Sequence, residues 1–456
     1  MEKGGVCLEQ KQNKMGYMPV SKLLISMSLP IMISMLVQAL YNIVDSIFVA
    51  QLGEEALAAV SLAFPIQSIM ISVAVGTAVG LNSLISRRLG EHRYDEANLS
   101  ATHGIILAIA SSCIFILFGL FFSKTYFSAF SNQSDIIRMG STYISICTIF
   151  SIGIFLQVTS ERIMQSAGIT IYNMITQLVG AITNIILDPI LIFGLFGLPK
   201  FGIAGAAMAT VIGQIIAMVL SLYLNYKKNK EVRIHFKGFK FDIYVVQEIY
   251  RVGAPSIVMQ SIGSIMTMGL NMIIASSQAA ISVLGVYFKL NSFIFMPVFG
   301  LTNGMIPICA YNFGAKQNDR VLAAVKDALI YAAVILTTGM FIFLAVPDKL
   351  LMMFNASNEM LRIGVPALRF ISLSFPLAAV GIVLSSLYQA LGEGIYSLIM
   401  SVCRQLLVIL PVAYILNKLF GLTMLWASFA IAEVVSLFIC LYLFKRCYNK
   451  HLKKIN

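Results

Sequence analysis

The chain has 456 residues, of which 59% are hydrophobic and 11% charged, and its mean hydropathy is +0.87. Soluble globular domains carry about 25% charged residues, so this composition excludes a soluble fold. Continuous apolar runs longer than the roughly 20 residues that a helix needs to cross a bilayer also exclude a transmembrane β-barrel, whose strands alternate in polarity. The sequence therefore predicts an all-α integral membrane protein.

Twelve apolar segments follow one another along the chain, and we expect each to cross the membrane as a helix. The polar start, Met1–Ser21, is followed by an apolar stretch that is too long for a signal-peptide core and lacks a cleavage site, so we interpret that stretch as a retained span. The predicted spans are residues 22–50, 58–83, 99–123, 137–159, 172–196, 203–226, 250–276, 281–307, 323–346, 364–387, 396–417 and 423–444.

The net charge of +12 is distributed unevenly between the two sides of these spans. Lys and Arg concentrate before the first span, in alternate loops such as Asn225–Arg251, and in the tail after Leu443. By the positive-inside rule, both termini lie in the cytoplasm of a multi-pass protein of the inner (plasma) membrane. The basic charge is then explained by topology, and we do not expect nucleic-acid binding. The opposite loops hold only Lys124, Arg138, Lys200, Lys349, Arg362 and Lys418.

The second half of the chain repeats the first at an offset of 224 residues. Gly76-Thr-Ala-Val-Gly80 corresponds to Gly300-Leu-Thr-Asn-Gly304, and Gln165 and Gly168 correspond to Gln389 and Gly392. Because six spans is an even number, both copies cross the membrane in the same sense. We predict twelve transmembrane helices in two pseudo-symmetric six-helix bundles. The expected divisions are 1–226 for the N-terminal bundle, 227–250 for a cytoplasmic linker, 251–444 for the C-terminal bundle and 445–456 for a basic tail.

The repeated glycines predict close contacts and turns. Gly76 and Gly80, like Gly300 and Gly304, are spaced four residues apart, which lets two helices approach closely. Gly90 and Gly314 follow the second and eighth predicted spans, where we expect a left-handed turn residue.

Two carboxylates, Asp45 and Asp188, lie inside apolar spans of the first half. A carboxylate at bilayer depth costs about 2.5–3.5 kcal/mol on insertion scales, so its usual reason is a partner or a function. Asp188 shares a helix face with Gln177 and Asn184, and Asp45 shares one with Gln38 and Tyr41. Two such stripes of oxygen atoms facing each other would bind a small hard cation, and they would equally hold a proton.

The same segments hold one alternative reading of Asp45 and one further candidate ligand. Asp45 lies near the end of its span and can be interpreted as a cap at the membrane surface. Pro189 removes the hydrogen bond to the Ile185 carbonyl and should kink the helix, which would free that carbonyl as a further oxygen ligand. We predict a cation-coupling site at Asp45, Asn184 and Asp188, without a structural metal.

The remaining polar residues within the spans suggest a path for a cation or a substrate. Tyr143 and Thr210 add hydroxyls in the first half, whereas Gln260 and Asn271 lie on an uncharged stripe of the seventh span. Glu161 and Arg162 are interpreted either as a gating ion pair or as an ordinary surface pair. Lys289 and Arg404 are expected either to form pairs inside the second bundle or to extend to the membrane surface. The candidate path is therefore Gln38, Tyr41, Tyr143, Gln177, Thr210, Gln260 and Asn271.

Several classes of function find no support in the sequence. It contains no G-x-x-x-x-G-K-[ST] phosphate loop, no cluster of histidines, and no nucleophile with a base, so we expect neither an ATPase nor an enzyme. The seven cysteines form no C-x-x-C pair and predict no disulfide framework. We expect no cofactor, and transport would draw its energy from a gradient of Na⁺ or H⁺.

Three segments carry a resemblance to a known family. Asn42-Ile-Val-Asp-Ser-Ile-Phe-Val-Ala-Gln-Leu-Gly53, followed by Glu55-Ala-Leu-Ala-Ala-Val60, resembles the first-span signature of multidrug and toxic compound extrusion (MATE) transporters. Asn184-Ile-Ile-Leu-Asp-Pro-Ile190 resembles their fifth-span motif, and Gly202-Ile-Ala-Gly-Ala-Ala-Met-Ala-Thr210 the start of their sixth. The resemblance covers nearly the whole chain and is greatest to the bacterial MepA-like branch.

The resemblance implies a V-shaped, monomeric antiporter of twelve helices that exports cationic or amphipathic organic compounds, including antibiotics, against inward Na⁺ or H⁺. It also implies that Asp45, Asn184 and Asp188 form the coupling-ion site. The chain departs from members with an acidic residue in the seventh span, because Gly253–Ala275 has none. The alternatives are a flippase for a lipid-linked saccharide, which would need a strongly cationic cavity, and a membrane receptor or scaffold.

Overall fold

A computed structural model describes residues 13–453, which fold into helices joined by short connections. Within that range, ten helices are long and apolar enough to cross a membrane, and two bent helix pairs raise the number of spans to twelve. The predictions of an all-α membrane fold and of twelve spans are therefore confirmed. Cys7 and the first and last basic residues of the chain, for which the sequence analysis made predictions, lie outside the described residues.

The spans are numbered 1 to 12 in chain order. Spans 4 and 10 are the bent pairs, with angles of 42° and 50° between their halves, which the continuous apolar pattern of the sequence did not predict. The bounds are Val20–Ala50, Glu54–Gly90, Tyr94–Phe121, Ser134–Ile149 with Ile152–Ser166, Ile171–Phe193, Ile203–Lys228, Ile243–Ile273, Gln278–Gly314, Asn318–Ala345, Asn358–Ser372 with Phe375–Ala390, Gly394–Phe420 and Leu422–Leu452.

The two bundles meet along spans 1, 2, 7 and 8. Span 1 packs against span 5 of its own bundle and also against span 8 of the second, while span 7 packs against span 2 of the first. The repeated glycines lie in these contacts. A Cβ on Gly80 would stand 2.0 Å from the Ile249 carbonyl oxygen, and a Cβ on Gly304 would stand 2.3 Å from Ser28 Oγ. The predicted close approach at these glycines is confirmed, and it joins the two bundles.

The prediction of left-handed turns at Gly90 and Gly314 is wrong. Each is the last residue of its helix, and the positive φ angles occur two residues later, at His92 (59°) and Lys316 (59°). These glycines instead allow spans 2 and 8 to cross: a Cβ on Gly90 would stand 1.9 Å from the Tyr311 carbonyl oxygen. Packing therefore requires the small size of these glycines, and the residues with the left-handed φ angle are His92 and Lys316.

Span 5 is assigned as one unbroken helix that runs through Pro189 to Phe193. Cys403–Ile409 of span 11 forms a π-helical segment that ends two residues before Pro411, and a second one, Tyr448–Leu452, ends span 12. Such wide turns occur frequently at functional sites. The segment in span 11 positions Arg404 and Gln405.

Candidate functional site

A polar cluster lies inside the first bundle, between spans 1, 5 and 6. Asp188 is fully buried and Asn184 is 3% exposed. In the amide orientation that satisfies both neighbours, Asn184 Nδ2 donates to Asp188 Oδ2 at 3.3 Å, and its oxygen accepts from the Thr210 backbone N–H at 3.2 Å. Because the amide is held from both sides, its position relative to the carboxylate is fixed. These three residues bring spans 5 and 6 together around one carboxylate.

Asp45 completes this cluster from span 1. Its side chain lies close to that of Asp188. It stands five residues before the end of the helix at Ala50, so it does not act as a cap at the surface. Asp45 Oδ1 is buried and has no hydrogen-bond partner among residues 13–453. A buried oxygen of this kind fits a site for a cation or a shared proton, either of which would satisfy it.

Aromatic and amide side chains surround the two carboxylates. Tyr41 lies close to both Asp45 and Asp188, and Tyr143 lies close to Asp45. Gln67 donates from Nε2 to the Tyr143 hydroxyl at 3.3 Å and approaches Cys147 Sγ at 3.7 Å. Polar groups of spans 1, 2 and 4 therefore surround the carboxylates of spans 1 and 5.

A cavity of about 560 Å³ lies between the two bundles and reaches this cluster through Tyr41, Asn184 and Thr210. Its wall combines amides with methionines and aliphatic residues. Amides and thioethers contact organic molecules without demanding one shape or charge. The lining amides are Gln38, Gln157, Gln165, Asn173, Gln177, Asn184, Gln214, Gln260, Asn303, Gln389 and Gln405.

The structure brings most of the predicted path residues together. Gln38, Tyr41, Gln177, Thr210 and Gln260 line the cavity. Tyr143 belongs to the carboxylate cluster instead. Asn271, three turns further along span 7 than Gln260, lies outside both the cavity lining and the cluster.

Glu161 and Arg162 do not form an ion pair, so both interpretations of them as a pair are wrong. Glu161 accepts hydrogen bonds from Gln157 (3.1 Å), Thr176 (2.7 Å) and Gln177 (2.9 Å) inside the first bundle. Arg162 Nη1 donates to Asn303 Oδ1 of span 8 at 3.0 Å and to Gln165 Oε1 at 3.1 Å. The two side chains diverge because neighbouring residues on a helix point about 100° apart. Both line the cavity.

Arg404 pairs with Glu433 of span 12 at 3.0 Å, so the predicted pairing inside the second bundle is confirmed for Arg404. Arg404 and Lys289 lie on different helices, and the Lys289 ammonium stands over the Phe354 ring, 5.9 Å from its centroid. Lys289 and Arg369 are exposed and lie outside the cavity lining. The second bundle therefore carries a largely buried ion pair at its side of the cavity, in addition to the uncharged polar stripe that the sequence indicated.

Sequence reasoning missed Gln67, Asn303 and Gln389 as lining or cluster residues. Each is an amide within an apolar span, which is a usable signal. Their partners lie on other spans: Gln165 Nε2 donates to the Asn303 carbonyl oxygen at 2.6 Å, and Ser83 Oγ donates to the Gln389 carbonyl oxygen at 2.8 Å. Helical periodicity along one span does not specify such contacts.

Twelve spans in two contacting bundles, with a cavity of mixed polar and apolar lining between them, define a multi-pass membrane protein of the transporter type. The family model described as MatE matches residues 30–190 and again residues 255–415. The chain therefore belongs to the MatE family. The same model fits each half, in agreement with the internal repeat.

Curated relatives and solved structures agree with this assignment. The chain is 28% identical over 426 residues to a protein named "Multidrug export protein MepA" from Staphylococcus haemolyticus (strain JCSC1435), covering 93% of each chain. A MepA protein from Staphylococcus aureus (strain bovine RF122 / ET3-1) is also 28% identical, over 417 residues and 91% of each chain. A structure titled as the outward-facing conformation of a multidrug resistance MATE family transporter superposes with a TM-score of 0.90 at 26% identity, over 99% of this chain and 100% of the other.

Proposed function

We propose that this protein is a secondary active multidrug exporter of the plasma membrane that couples the exit of cationic or amphipathic organic compounds to the entry of Na⁺ or H⁺. The observation that carries the proposal is the position of Asn184, which contacts Asp188 and also lines the cavity. A cation at the carboxylates and a compound in the cavity would therefore contact the same side chain. Thr210 and Tyr41 provide two further shared contacts.

The coupling ion would bind at Asp45, Asn184 and Asp188. Carboxylate and amide oxygens are ligands that hard cations prefer, and two neighbouring carboxylates can also share a proton. Ion binding in either form neutralises negative charge beside the cavity. A cationic compound then loses electrostatic attraction to this wall, which is the direction that antiport requires.

The close glycine contacts support an outward-facing state. Gly80 and Gly90 of span 2 and Gly304 of span 8 join the bundles in the C-terminal halves of these spans. The C-terminal end of span 2 carries Arg87 and Arg88. The positive-inside rule assigns such basic ends to the cytoplasm, where the termini would also lie. With the bundles in contact there, compounds in the cavity would exchange with the opposite side of the membrane.

The charges in the cavity argue against a flippase for a lipid-linked saccharide. A pyrophosphate group would need several unpaired bases, whereas the bases that line this cavity are Arg162 and Arg404, the second of them paired with Glu433. Glu161 adds a negative charge to the same wall. This balance suits a compound that is not a polyanion.

The test is transport by purified protein in proteoliposomes with an imposed Na⁺ gradient, an imposed pH gradient, or neither. We expect accumulation of a fluorescent organic cation with one of the two gradients and none without a gradient. Uptake that is equal under all three conditions, in vesicles where the protein is folded and correctly inserted, would rule out ion-coupled export.

A further inference from the structure

The closed end of the cavity carries two opposite charges that are not balanced by direct partners. Arg162 bridges span 4 to Asn303 of span 8, one residue before Gly304, where the bundles are in contact. Among residues 13–453, no carboxylate oxygen lies within 4.0 Å of the Arg162 guanidinium, the distance that defines a salt bridge. Its two hydrogen bonds both leave from Nη1 and both end on neutral amide oxygens.

Glu161 is the matching negative charge. Glu161 is 4% exposed, and its carboxylate accepts hydrogen bonds from three neutral donors. Its hydrogen-bonding capacity is therefore used, but its charge has no salt-bridge partner among the described residues. Arg404, the other base of the cavity, differs in that Glu433 neutralises it at 3.0 Å. The cavity therefore presents one available guanidinium and one available carboxylate.

Glu161 and Arg162 act on each other electrostatically but form no salt bridge. A largely buried charge without a salt-bridge partner is costly, and chains keep one where something else supplies the partner. The bridge to Asn303 does not by itself need a cation, because a neutral amide would also donate to an amide oxygen. A guanidinium presents parallel N–H groups that match the two oxygens of a carboxylate. Nε and Nη2 of Arg162 make no hydrogen bond to residues 13–453, so they are available to such a group.

We propose that Arg162 is a specificity-determining residue that binds the carboxylate of amphoteric substrates, whose cationic part faces Glu161. This inference rests on the proposed export function and narrows its substrate class. A simple cation would leave Arg162 unpaired, and a simple anion would meet Glu161. A compound with both charges would pair with each.

The test compares two dyes that differ in a single group. Rhodamine 123 is a cationic methyl ester, and rhodamine 110 is the corresponding free acid, which carries a carboxylate beside the same cationic ring system. Binding is measured by fluorescence anisotropy with the purified, full-length protein. We expect the wild type to bind the acid more tightly than the ester. Arg162→Gln should lower the affinity for the acid by about 10- to 100-fold, as expected for loss of a charge-assisted contact. The affinity for the ester should change by less than about twofold, because the ester offers the guanidinium no carboxylate.

Three variants separate charge from structure. Asn303→Ala removes the same inter-bundle bridge but keeps the guanidinium. Because Asn303 also lines the cavity, this variant can weaken the binding of both dyes alike, but the ratio of acid to ester affinity should not change. Lys289→Gln removes a base of the second bundle that lies outside the cavity lining, so the ratio of acid to ester affinity should not change. Arg162→Lys keeps the charge without the planar fork and should fall between the wild type and Arg162→Gln.

Two results would overturn the proposal. One is a wild type that binds the ester as tightly as the acid, which is decisive even if Arg162→Gln does not fold. The other is an equal fall in the ratio of acid to ester affinity in Arg162→Gln and Asn303→Ala, which would make the bridge the relevant feature. Failure of the export function is distinguished separately, because it would appear as no gradient-driven uptake of either dye despite intact binding.

Discussion

Gly80 of span 2 lies so close to Ile249 of span 7 that a Cβ on the glycine would stand 2.0 Å from the Ile249 carbonyl oxygen. The obstructing atom belongs to the backbone of a helix in the other bundle, so a side-chain rotation cannot relieve the contact. The absence of a side chain at residue 80 is therefore a condition for the two bundles to meet at this end.

Gly80→Ala should destabilise the conformation in which the bundles are in contact. Overpacking of this kind costs about 1–3 kcal/mol, and we expect either a lower melting temperature or a wider separation of spans 2 and 7 in spin-label distance measurements. Gly285→Ala in span 8 is the control, because no atom lies within 4 Å of its added Cβ. Equal effects of the two substitutions would contradict the packing argument.

Asp188→Asn should abolish gradient-driven efflux while the protein still inserts and folds. The amide keeps the shape of the carboxylate but removes the negative charge that a cation or proton requires. Efflux from vesicles under an imposed gradient measures the effect, and Asp135→Asn is the control, since Asp135 is an exposed acid paired with Arg138 at 3.0 Å. Near wild-type efflux by well-expressed Asp188→Asn would remove Asp188 from the coupling site.

Thr210→Val should weaken binding of the coupling ion without removing it. The hydroxyl of Thr210 lies 3.3 Å from the Asn184 amide, and the loss of one neutral hydrogen bond is worth about 0.5–1.5 kcal/mol, or up to roughly tenfold in affinity. Thr183→Val is the matched control, because Thr183 donates only to the Val179 carbonyl of its own helix at 2.8 Å. The ion concentration that gives half-maximal transport should rise for Thr210→Val and not for Thr183→Val.

The coupling ion and an organic cation should weaken each other's binding by the same factor, because linkage between two sites is reciprocal. The physical reason is that Asn184 contacts Asp188 and also lines the cavity. Dye affinity measured against rising Na⁺ and against falling pH should decrease for one of these ions, and Asp188→Asn should remove the dependence. A wild-type affinity that responds to neither ion would exclude antiport through this site.

Glu393, in the connection between spans 10 and 11, should hold the end of span 12 in a pH-dependent manner. Burial acts to raise the pKa of Glu393, but the hydrogen bonds from Lys450 (2.5 Å) and His451 (2.8 Å) outweigh it and hold the pKa below its usual value. A carboxyl whose folded pKa is lowered stabilises the fold above its unfolded pKa, and this contribution is lost as the pH falls through the folded pKa.

Glu393→Gln should therefore increase amide hydrogen exchange near residues 448–452 at neutral pH, and should reduce the additional increase that the wild type shows in acid. Glu359→Gln, at the start of span 10, is the control, because Glu359 forms no salt bridge among the described residues. Identical exchange in the wild type and Glu393→Gln across the pH range would show that this contact does not hold the helix end.

The sequence alone determined the membrane class, the twelve spans, the duplication and the presence of Asp45 and Asp188 inside apolar helices. These features follow from local physical costs: an apolar run must be long enough to cross the bilayer, and a carboxylate within such a run is too expensive to keep without a reason. The face that Asn184 shares with Asp188 was also predictable, because both lie on one helix of known periodicity.

Only the tertiary structure decided which side chains meet across helices. The divergence of Glu161 from Arg162, the pairing of Arg404 with Glu433 and the exclusion of Asn271 from the cavity depend on how spans are rotated and how closely they approach. The wrong expectation at Gly90 has the same origin, since its small size serves a contact with Tyr311 in the other bundle. Periodicity specifies the faces of a single helix, whereas the partner of each face is set by packing between residues far apart in the sequence.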